Sequence, residues 1–289
     1  MAGGFRKVPR LSSWRRLALH AWSAPRDPTV YSTLQVDMTD SLAFLERARE
    51  RTGVRVTITH LVIKAIAEAL HRHPESNAMI RRGWVELRNQ VDVFAQVVTD
   101  EGDDLGGIKV ERADEKTVVE VAAELGRRVE RIRAHDDPEL EQSKHMLDRV
   151  PNWLLGTVLR LTEHATHTLG LDLTRFGIKP DPFGGAMVSS IATFGLDWAL
   201  APMVPFSRCP IVLIVGKVQT RPFVVDGEVR ARPVLIVGTT FDHRLLDGAQ
   251  ASRLARVVIE VLSNPAAHLA IPDPVAAAPV YASPDEISA

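Results

Sequence analysis

A close succession of apolar runs in the C-terminal half of the chain constrains its fold more than any other feature. The runs "GGAMVSSIATFG", "PIVLIVGKVQ", "RPFVVDGEVRARP" and "VLIVGTTFDHR" have the β-branched content of strands. Asp226-Gly227, inside the third run, is a strong signal for a two-residue hairpin turn. Because helix-like and strand-like runs alternate earlier in the chain, the sequence predicts a protein of mixed α and β elements.

Several segments have the apolar periodicity of helices. "SLAFLERARERTG" carries Leu42, Leu45 and Ala48 at helical spacing and stops at Gly53. "ITHLVIKAIAEALHRHP" has the broad apolar face of a core helix and halts at Pro74. The segments "VVEVAAELGRRVERIRAH" and "DGAQASRLARVVIEVLSNP" are further amphipathic helices. The last of these follows the run that ends in "TFDHR", so the chain passes there from strand to helix.

The composition narrows the class of protein. The formal net charge is -1, and the basic residues are spread along the chain, which argues against a nucleic-acid partner. The single cysteine, Cys209, excludes an internal disulfide framework and fits a reducing compartment. No apolar run has the length needed to cross a bilayer, and we expect a cytoplasmic protein. The basic amino-terminal segment that holds Arg15 and Arg16 also has the composition of a mitochondrial presequence.

The stretch "TFDHRLLDG", residues 240–248, is the candidate reactive site. His243 stands where a strand ends, and an imidazole held there can take a proton from a thiol or a hydroxyl as a general base. Asp247, four positions further on, is placed to fix the local turn or to pair with a distant arginine. Taken alone, this pair is more typical of a core histidine beside an aspartate that caps the next helix.

These residues belong to a longer pattern. The motif Asp-His-Arg-x-x-Asp-Gly is complete from Asp242 to Gly248, with "MVSSIATFG" and "PIVLIVGKV" before it in order, and with "SSWRRLALHAW" and "YSTLQVDMTD" near the amino end. From roughly Ser12 to Ala267 the chain resembles the catalytic core of the dihydrolipoyl acyltransferases of 2-oxo acid dehydrogenase complexes. More distantly, it is similar to chloramphenicol acetyltransferase. The resemblance implies an α/β fold of the chloramphenicol acetyltransferase type, with a mixed sheet flanked by helices. It also implies an acyltransferase whose substrate is coenzyme A or its acyl thioester.

The resemblance also implies the roles of individual residues. His243 matches the general base of the family. Asp247 matches an aspartate that holds the geometry of the site through an arginine near the start of the domain, for which Arg15 or Arg16 is the candidate. A structural role for these arginines competes with the presequence interpretation.

Ser189, with Ser190 beside it, matches the hydroxyl that stabilises the tetrahedral intermediate in the family. A hydroxyl suits this task because its O–H can rotate toward the oxyanion as charge develops. The implied reaction is direct transfer without an acyl-enzyme: the base takes the proton of the acceptor thiol or hydroxyl, which then attacks the thioester. Relatives place the site between subunits, so the resemblance implies a homotrimer or a multiple of trimers. No metal is expected.

The chain also departs from the family pattern. No lipoyl domain or subunit-binding domain stands ahead of the core, so we expect the acceptor to be a small thiol or hydroxyl compound, or a lipoyl group on a separate protein. "VTDEGDDLGGIKV" lacks the prolines usual at the substrate channel, which leaves the substrate open. We divide the chain into an N-terminal arm at 1–11, a catalytic domain at 12–267 with a helical insertion near 143–170, and a loose tail at 268–289.

Two alternative functions stay open at this point. One is a catalytically inactive core-fold scaffold or partner-binding subunit. The other gives the helix at 151–170 a contact with a partner or a membrane surface, because its apolar stripe interrupts the succession of strands. Glu163, His164 and His167 in "EHATH" do not have the order of a His-Glu-x-x-His zinc site, so a solvated helix face is expected there.

Overall fold

The computed structural model describes residues 27–81, 83–99, 104–134, 150–171, 173–174 and 181–272. Its strands are β1 (Thr29–Asp37), β2 (Ala78–Arg81), β3 (Trp84–Leu87), β4 (Val93–Thr99), β5 (Asp104–Val110), β6 (Ala186–Ser190), β7 (Ile211–Val215), β8 (Gln219–Val225) and β9 (Glu228–Asp242). Its α-helices are α1 (Thr39–Thr52), α2 (Ile58–Arg72), α3 (Val118–Arg133), α4 (Asn152–Glu163), α5 (Gly248–Ser263) and α6 (Pro265–His268).

Seven strands form one mixed sheet. The order is β1-β9-β7-β6-β4-β5, and β8 pairs with the first part of the long strand β9. Strand β6 is parallel to both β4 and β7, whereas β9 is antiparallel to β1 and β7. Strands β2 and β3 form a separate hairpin. The α/β class with a mixed sheet, predicted from the sequence, is confirmed.

The helices bury one face of the large sheet. This core contains Phe44 of α1, Leu61 of α2 and Leu262 of α5, packed against Leu213 of β7 and Leu235 of β9. All five side chains have at most 2% of their surface exposed, so the contact between helices and sheet excludes water. Alternate strand residues point to the opposite face.

The opposite face of the sheet carries a smaller apolar cluster formed by Met187, Cys209, Val212 and Ile214. The backbone of residues 196–201 crosses this face, and the Thr240 hydroxyl donates to the carbonyl of Ala201 at 2.8 Å. Gly238 makes the approach possible, because a Cβ there would lie 1.9 Å from the carbonyl oxygen of Ala199. The crossing segment therefore packs directly on the backbone of β9.

Two turns form where local sequence signals place them. Helix α1 ends at Gly53, which has φ 68° and donates its N–H to Arg49. The turn between β8 and β9 has Asp226 at φ 53° and Gly227 at φ 80°, as a type I′ hairpin requires. These local predictions are confirmed.

The predicted insertion contains helix α4, which continues as one π-helical segment at His164–Thr168. At the C-terminal end of the domain, Leu269 is 7% exposed and Ile271 packs against the core. The packed chain therefore extends past the boundary predicted at residue 267. The arm at 1–11 and the part of the tail from 273 onward lie outside the described residues.

Candidate active site

Asp242 ends strand β9 and organises the turn that follows. Its backbone N–H donates to the carbonyl of Pro210, and its own carbonyl accepts from Leu245 and Leu246, each at 3.0 Å. Its carboxylate, only 7% exposed, accepts from the backbone N–H of Arg244 at 2.9 Å and from that guanidinium at 2.6 Å. The hydrogen bond to Asp242 raises the pKa of Arg244. The turn is thus held by backbone hydrogen bonds and by a charged pair.

From the sequence alone, Asp242 and Arg244 have no role beyond their place in the motif. The local signal for such a pair is an acidic and a basic residue two positions apart, directly after an apolar strand. Such pairs are common on protein surfaces, and only the burial of the Asp242 carboxylate distinguishes this one.

His243 lies in this turn with its side chain exposed. Its backbone N–H donates to the carbonyl of Pro28 at 2.9 Å, which ties the turn to the chain entering β1. The imidazole ring centre lies 6.4 Å from that of Phe241. The structure therefore places His243 at the rim of the sheet, where a substrate can reach it, and the interpretation as a core histidine is wrong.

Asp247 is the N-cap of helix α5. Its Oδ1 accepts from the backbone N–H of Gln250 at 2.8 Å, and its own N–H donates to the Gln250 side chain at 2.9 Å, which completes a capping box. The capping interpretation is confirmed. Arg15 and Arg16, the predicted partners of Asp247, lie outside the described residues.

Ser189 and Ser190 are the last two residues of β6, and both are partly exposed. Val188 packs into the helix-side core and Met187 into the cluster on the opposite face. Since successive side chains alternate, Ser190 points toward the helix side and Ser189 toward the opposite face. The two hydroxyls therefore lie on opposite faces of the sheet.

Ser189 and His243 lie far apart within one chain. Ser189 is opposite Ile214 of β7, which is in turn opposite Gly238 of β9, five positions before His243. With a rise of about 3.4 Å per residue and about 4.8 Å between strands, the two residues are roughly 20 Å apart. No substrate atom can contact both side chains of a single chain at once.

An apolar pocket of about 430 Å³, counting the space open to solvent at its mouth, lies between β1, β9 and α5. Its lining includes Leu34, Phe241, Leu246 and Leu254, with Ser32 as a polar member. Leu34, Phe241, Leu246 and Leu254 belong to the helix-side core, so this pocket lies across the sheet from Ser189 and does not join the two candidate residues.

The remaining predictions concern metals and membranes. Glu163 forms an ion pair with Arg208, and no group of three or more His, Cys, Asp or Glu side chains among the described residues is arranged to hold a metal ion. Within the same residues, no helix combines the length and the apolar character that crossing a bilayer requires.

The fold and the motif complete from Asp242 to Gly248 together point to one family of catalytic domains. The chain belongs to the family described as 2-oxoacid dehydrogenases acyltransferase (catalytic domain), whose model matches residues 12–143 and 178–270. The predicted family is therefore confirmed. The gap between the two matched ranges contains helix α4.

Curated relatives are about one quarter identical to the chain. A mitochondrial dihydrolipoyllysine-residue succinyltransferase component of the 2-oxoglutarate dehydrogenase complex from Arabidopsis thaliana is 26% identical over 267 residues, covering 90% of this chain and 48% of that protein. The acetyltransferase component of the pyruvate dehydrogenase complex from Staphylococcus epidermidis is 26% identical over 224 residues, covering 77% and 42%. The chain thus spans less than half the length of these relatives.

Solved structures confirm the fold. The Azotobacter vinelandii dihydrolipoamide acetyltransferase superposes with a TM-score of 0.62 at 21% identity, covering 92% of this chain and 94% of that chain. A probable dihydrolipoamide acetyltransferase from Listeria monocytogenes gives a TM-score of 0.61 at 19% identity, with coverages of 90% and 94%.

Proposed function

We propose that the protein is an acyltransferase that moves an acyl group between coenzyme A and a thiol or hydroxyl acceptor. The observation that carries this proposal is the exposed His243, held at the end of β9 in a complete Asp-His-Arg-x-x-Asp-Gly motif. Membership of an acyltransferase family supports it. A scaffold has no physical need for an exposed imidazole in a turn fixed by an ion pair whose carboxylate, that of Asp242, is buried.

His243 acts as the general base in this proposal. It takes the proton from the acceptor, whose sulfur or oxygen attacks the thioester carbon, and the coenzyme A thiolate leaves and is reprotonated. The exposed side chain and the fixed backbone support the role, because a base must reach the substrate and keep its orientation. Crystallographic and enzymatic work on the A. vinelandii enzyme concerns a serine, a histidine and an asparagine in its catalytic mechanism. Ser189, His243 and Asp247 have comparable side chains.

Ser189 donates a hydrogen bond to the oxyanion of the tetrahedral intermediate. Because Ser189 and His243 are roughly 20 Å apart in one chain, we propose that each site takes these two residues from neighbouring subunits. A homotrimer, or a multiple of trimers, supplies such a site at each of three equivalent interfaces. One solved relative is the cubic core of a pyruvate dehydrogenase multienzyme complex.

The acceptor is a small thiol or hydroxyl compound, or a dihydrolipoyl group carried by a separate protein. Free dihydrolipoamide is the first acceptor to assay, because the relatives are named for dihydrolipoyllysine residues. The cytoplasmic location and the lack of a metal requirement stay predictions.

Mixing two inactive variants tests the shared site. His243→Ala and Ser189→Ala proteins should each be nearly inactive with acetyl-coenzyme A and dihydrolipoamide. After joint unfolding and refolding at equal amounts, three quarters of random trimers contain both variants, and each such ring holds one intact site of three. The mixture should therefore recover about one quarter of wild-type activity.

A matched control uses the double variant His243→Ala/Ser189→Ala refolded with wild-type protein. A shared site predicts about one quarter of the activity at equal amounts, whereas a site within one chain predicts about one half. If the single variants restore no activity in verified mixed trimers, the shared site is wrong. A folded His243→Ala protein with near-normal turnover would remove the catalytic role and favour the scaffold alternative.

A further inference from the structure

Three phenylalanine rings form a continuous wall on the sheet face that carries Ser189. The ring centres of Phe94 and Phe183 are 4.9 Å apart, and those of Phe183 and Phe206 are 5.8 Å apart in an edge-on contact. Phe94 and Phe183 are partly buried, whereas Phe206 is 41% exposed. We call Phe94, Phe183 and Phe206 the aromatic wall.

The aromatic wall begins next to Ser189. Phe94 of β4 lies opposite Met187 of β6, and Ser189 is two positions further along β6. One step between strands and two residues along the strand separate the two Cα atoms by roughly 8 Å. Phe94, Phe183 and Met187 pack in the same cluster, so the wall and the Ser189 hydroxyl share one face.

Gly107 determines where the Phe94 ring lies. A Cβ at Gly107 would lie 1.9 Å from the Phe94 Cζ, so the ring rests directly on the glycine backbone of β5. This glycine is part of "VTDEGDDLGGIKV", where the chain departs from the family pattern. The missing side chain at Gly107 leaves room for an aromatic ring.

Charged groups beside the wall are paired with one another. The pairs are Arg88 with Asp181, Lys109 with Asp92, and Arg208 with Glu163. Lys109 stands opposite Phe94 in the sheet, and Glu163 ends helix α4. A negatively charged acyl group such as a succinyl group would compete with the carboxylates already bound to these cations. An apolar group meets no such competition.

We infer that the aromatic wall binds an apolar group of the substrate, such as an aliphatic chain longer than acetyl or an aromatic ring. This inference rests on the proposed function, because Ser189 marks the position of the reacting carbonyl. The apolar group belongs either to the acyl chain of the donor or to the body of the acceptor. The ion pair between Arg208 and Glu163 ties helix α4 to the far end of the wall, so the insertion borders the binding surface.

The size of the effect follows from the burial of methylene groups. Each methylene transferred from water to an apolar surface contributes about 0.8 kcal/mol, which corresponds to about fourfold in kcat/KM. We expect kcat/KM to rise about fourfold for each methylene that reaches the wall, and then to level off.

The experiment measures kcat/KM for acetyl-, butyryl-, hexanoyl-, octanoyl-, benzoyl- and succinyl-coenzyme A with dihydrolipoamide as acceptor. A second arm keeps acetyl-coenzyme A and varies the apolar size of thiol acceptors. Each series is repeated with Phe206→Ala, whose ring is exposed and whose loss leaves the core intact. Gly107→Ala is the second variant, since it keeps all three rings but forces the Phe94 ring to move. Phe223→Ala, on the β8–β9 hairpin, is the matched control.

We expect kcat/KM to increase with apolar size in one arm. That increase should be at least tenfold smaller in Phe206→Ala and Gly107→Ala, and unchanged in Phe223→Ala. The arm that shows the gain identifies the source of the apolar group. Transfer without any gain, a preference for succinyl-coenzyme A, or a gain equal in all variants would overturn the inference while leaving the proposed function standing. No transfer from any donor would instead refute the proposed function.

Discussion

Replacing Asp247 by asparagine tests whether helix capping accounts for the whole role of this residue. The asparagine side-chain oxygen can accept a hydrogen bond from the Gln250 N–H, as Asp247 Oδ1 does at 2.8 Å. The backbone N–H of residue 247 still donates to the Gln250 side chain. Only the interaction of the negative charge with the start of α5 is lost, at a cost of about 0.3–1 kcal/mol. Asp247→Ala also removes the acceptor, and caps lost in this way cost about 0.5–2 kcal/mol.

Thermal melts followed by circular dichroism measure the difference. For a domain of this size each kcal/mol shifts Tm by about 2–4 °C, so the asparagine variant should lose about 1–4 °C and the alanine variant up to about 8 °C. Gln250→Ala is the control, because it breaks the capping box from the other side without a change of charge. An asparagine variant as unstable as the alanine variant would refute the capping account. It would mean that the carboxylate has a cationic partner, and melts of Arg15→Ala and Arg16→Ala would then identify it.

Ser189→Ala should lower the single-turnover rate by about two to three powers of ten and Ser190→Ala by less, because the two side chains point to opposite faces; the reverse order would show that the oxyanion donor is misassigned by one residue. Burial, followed by the charges of Arg55 and Arg49, lowers the pKa of His60 to about 4. As the pH drops from about 6.5 to 4, the unfolded state therefore binds a proton at His60 before the folded state does, and the free energy of unfolding should fall. His60→Gln should flatten that pH dependence. Burial raises the pKa of the Cys209 thiol to about 11, so thiol reagents should label it only after unfolding, and rapid labelling of native protein would contradict its buried position.

Much of the fold was predictable from short-range patterns. The stop of α1 at Gly53 and the hairpin turn at Asp226-Gly227 depend on backbone conformations that few residues other than glycine adopt readily. Helix α2 and helix α5 follow from broad apolar faces at helical spacing, and strand β9 from its β-branched run. The same local logic placed His243 at the end of a strand and the N-cap Asp247 just before a helix. Each of these features depends on residues only a few positions apart.

Only the tertiary structure determines how far apart the candidate site residues lie. Strand order and pairing register separate Ser189 from His243 by roughly 20 Å. No local sequence pattern predicts this distance, because strands β6, β7 and β9 are brought together by contacts between distant segments. The aromatic wall is decided in the same way, since Phe94, Phe183 and Phe206 are far apart in sequence and meet only on the folded sheet. A sequence determines the conformations that its neighbouring residues favour, whereas the contacts between distant side chains depend on how the whole chain packs its apolar surfaces.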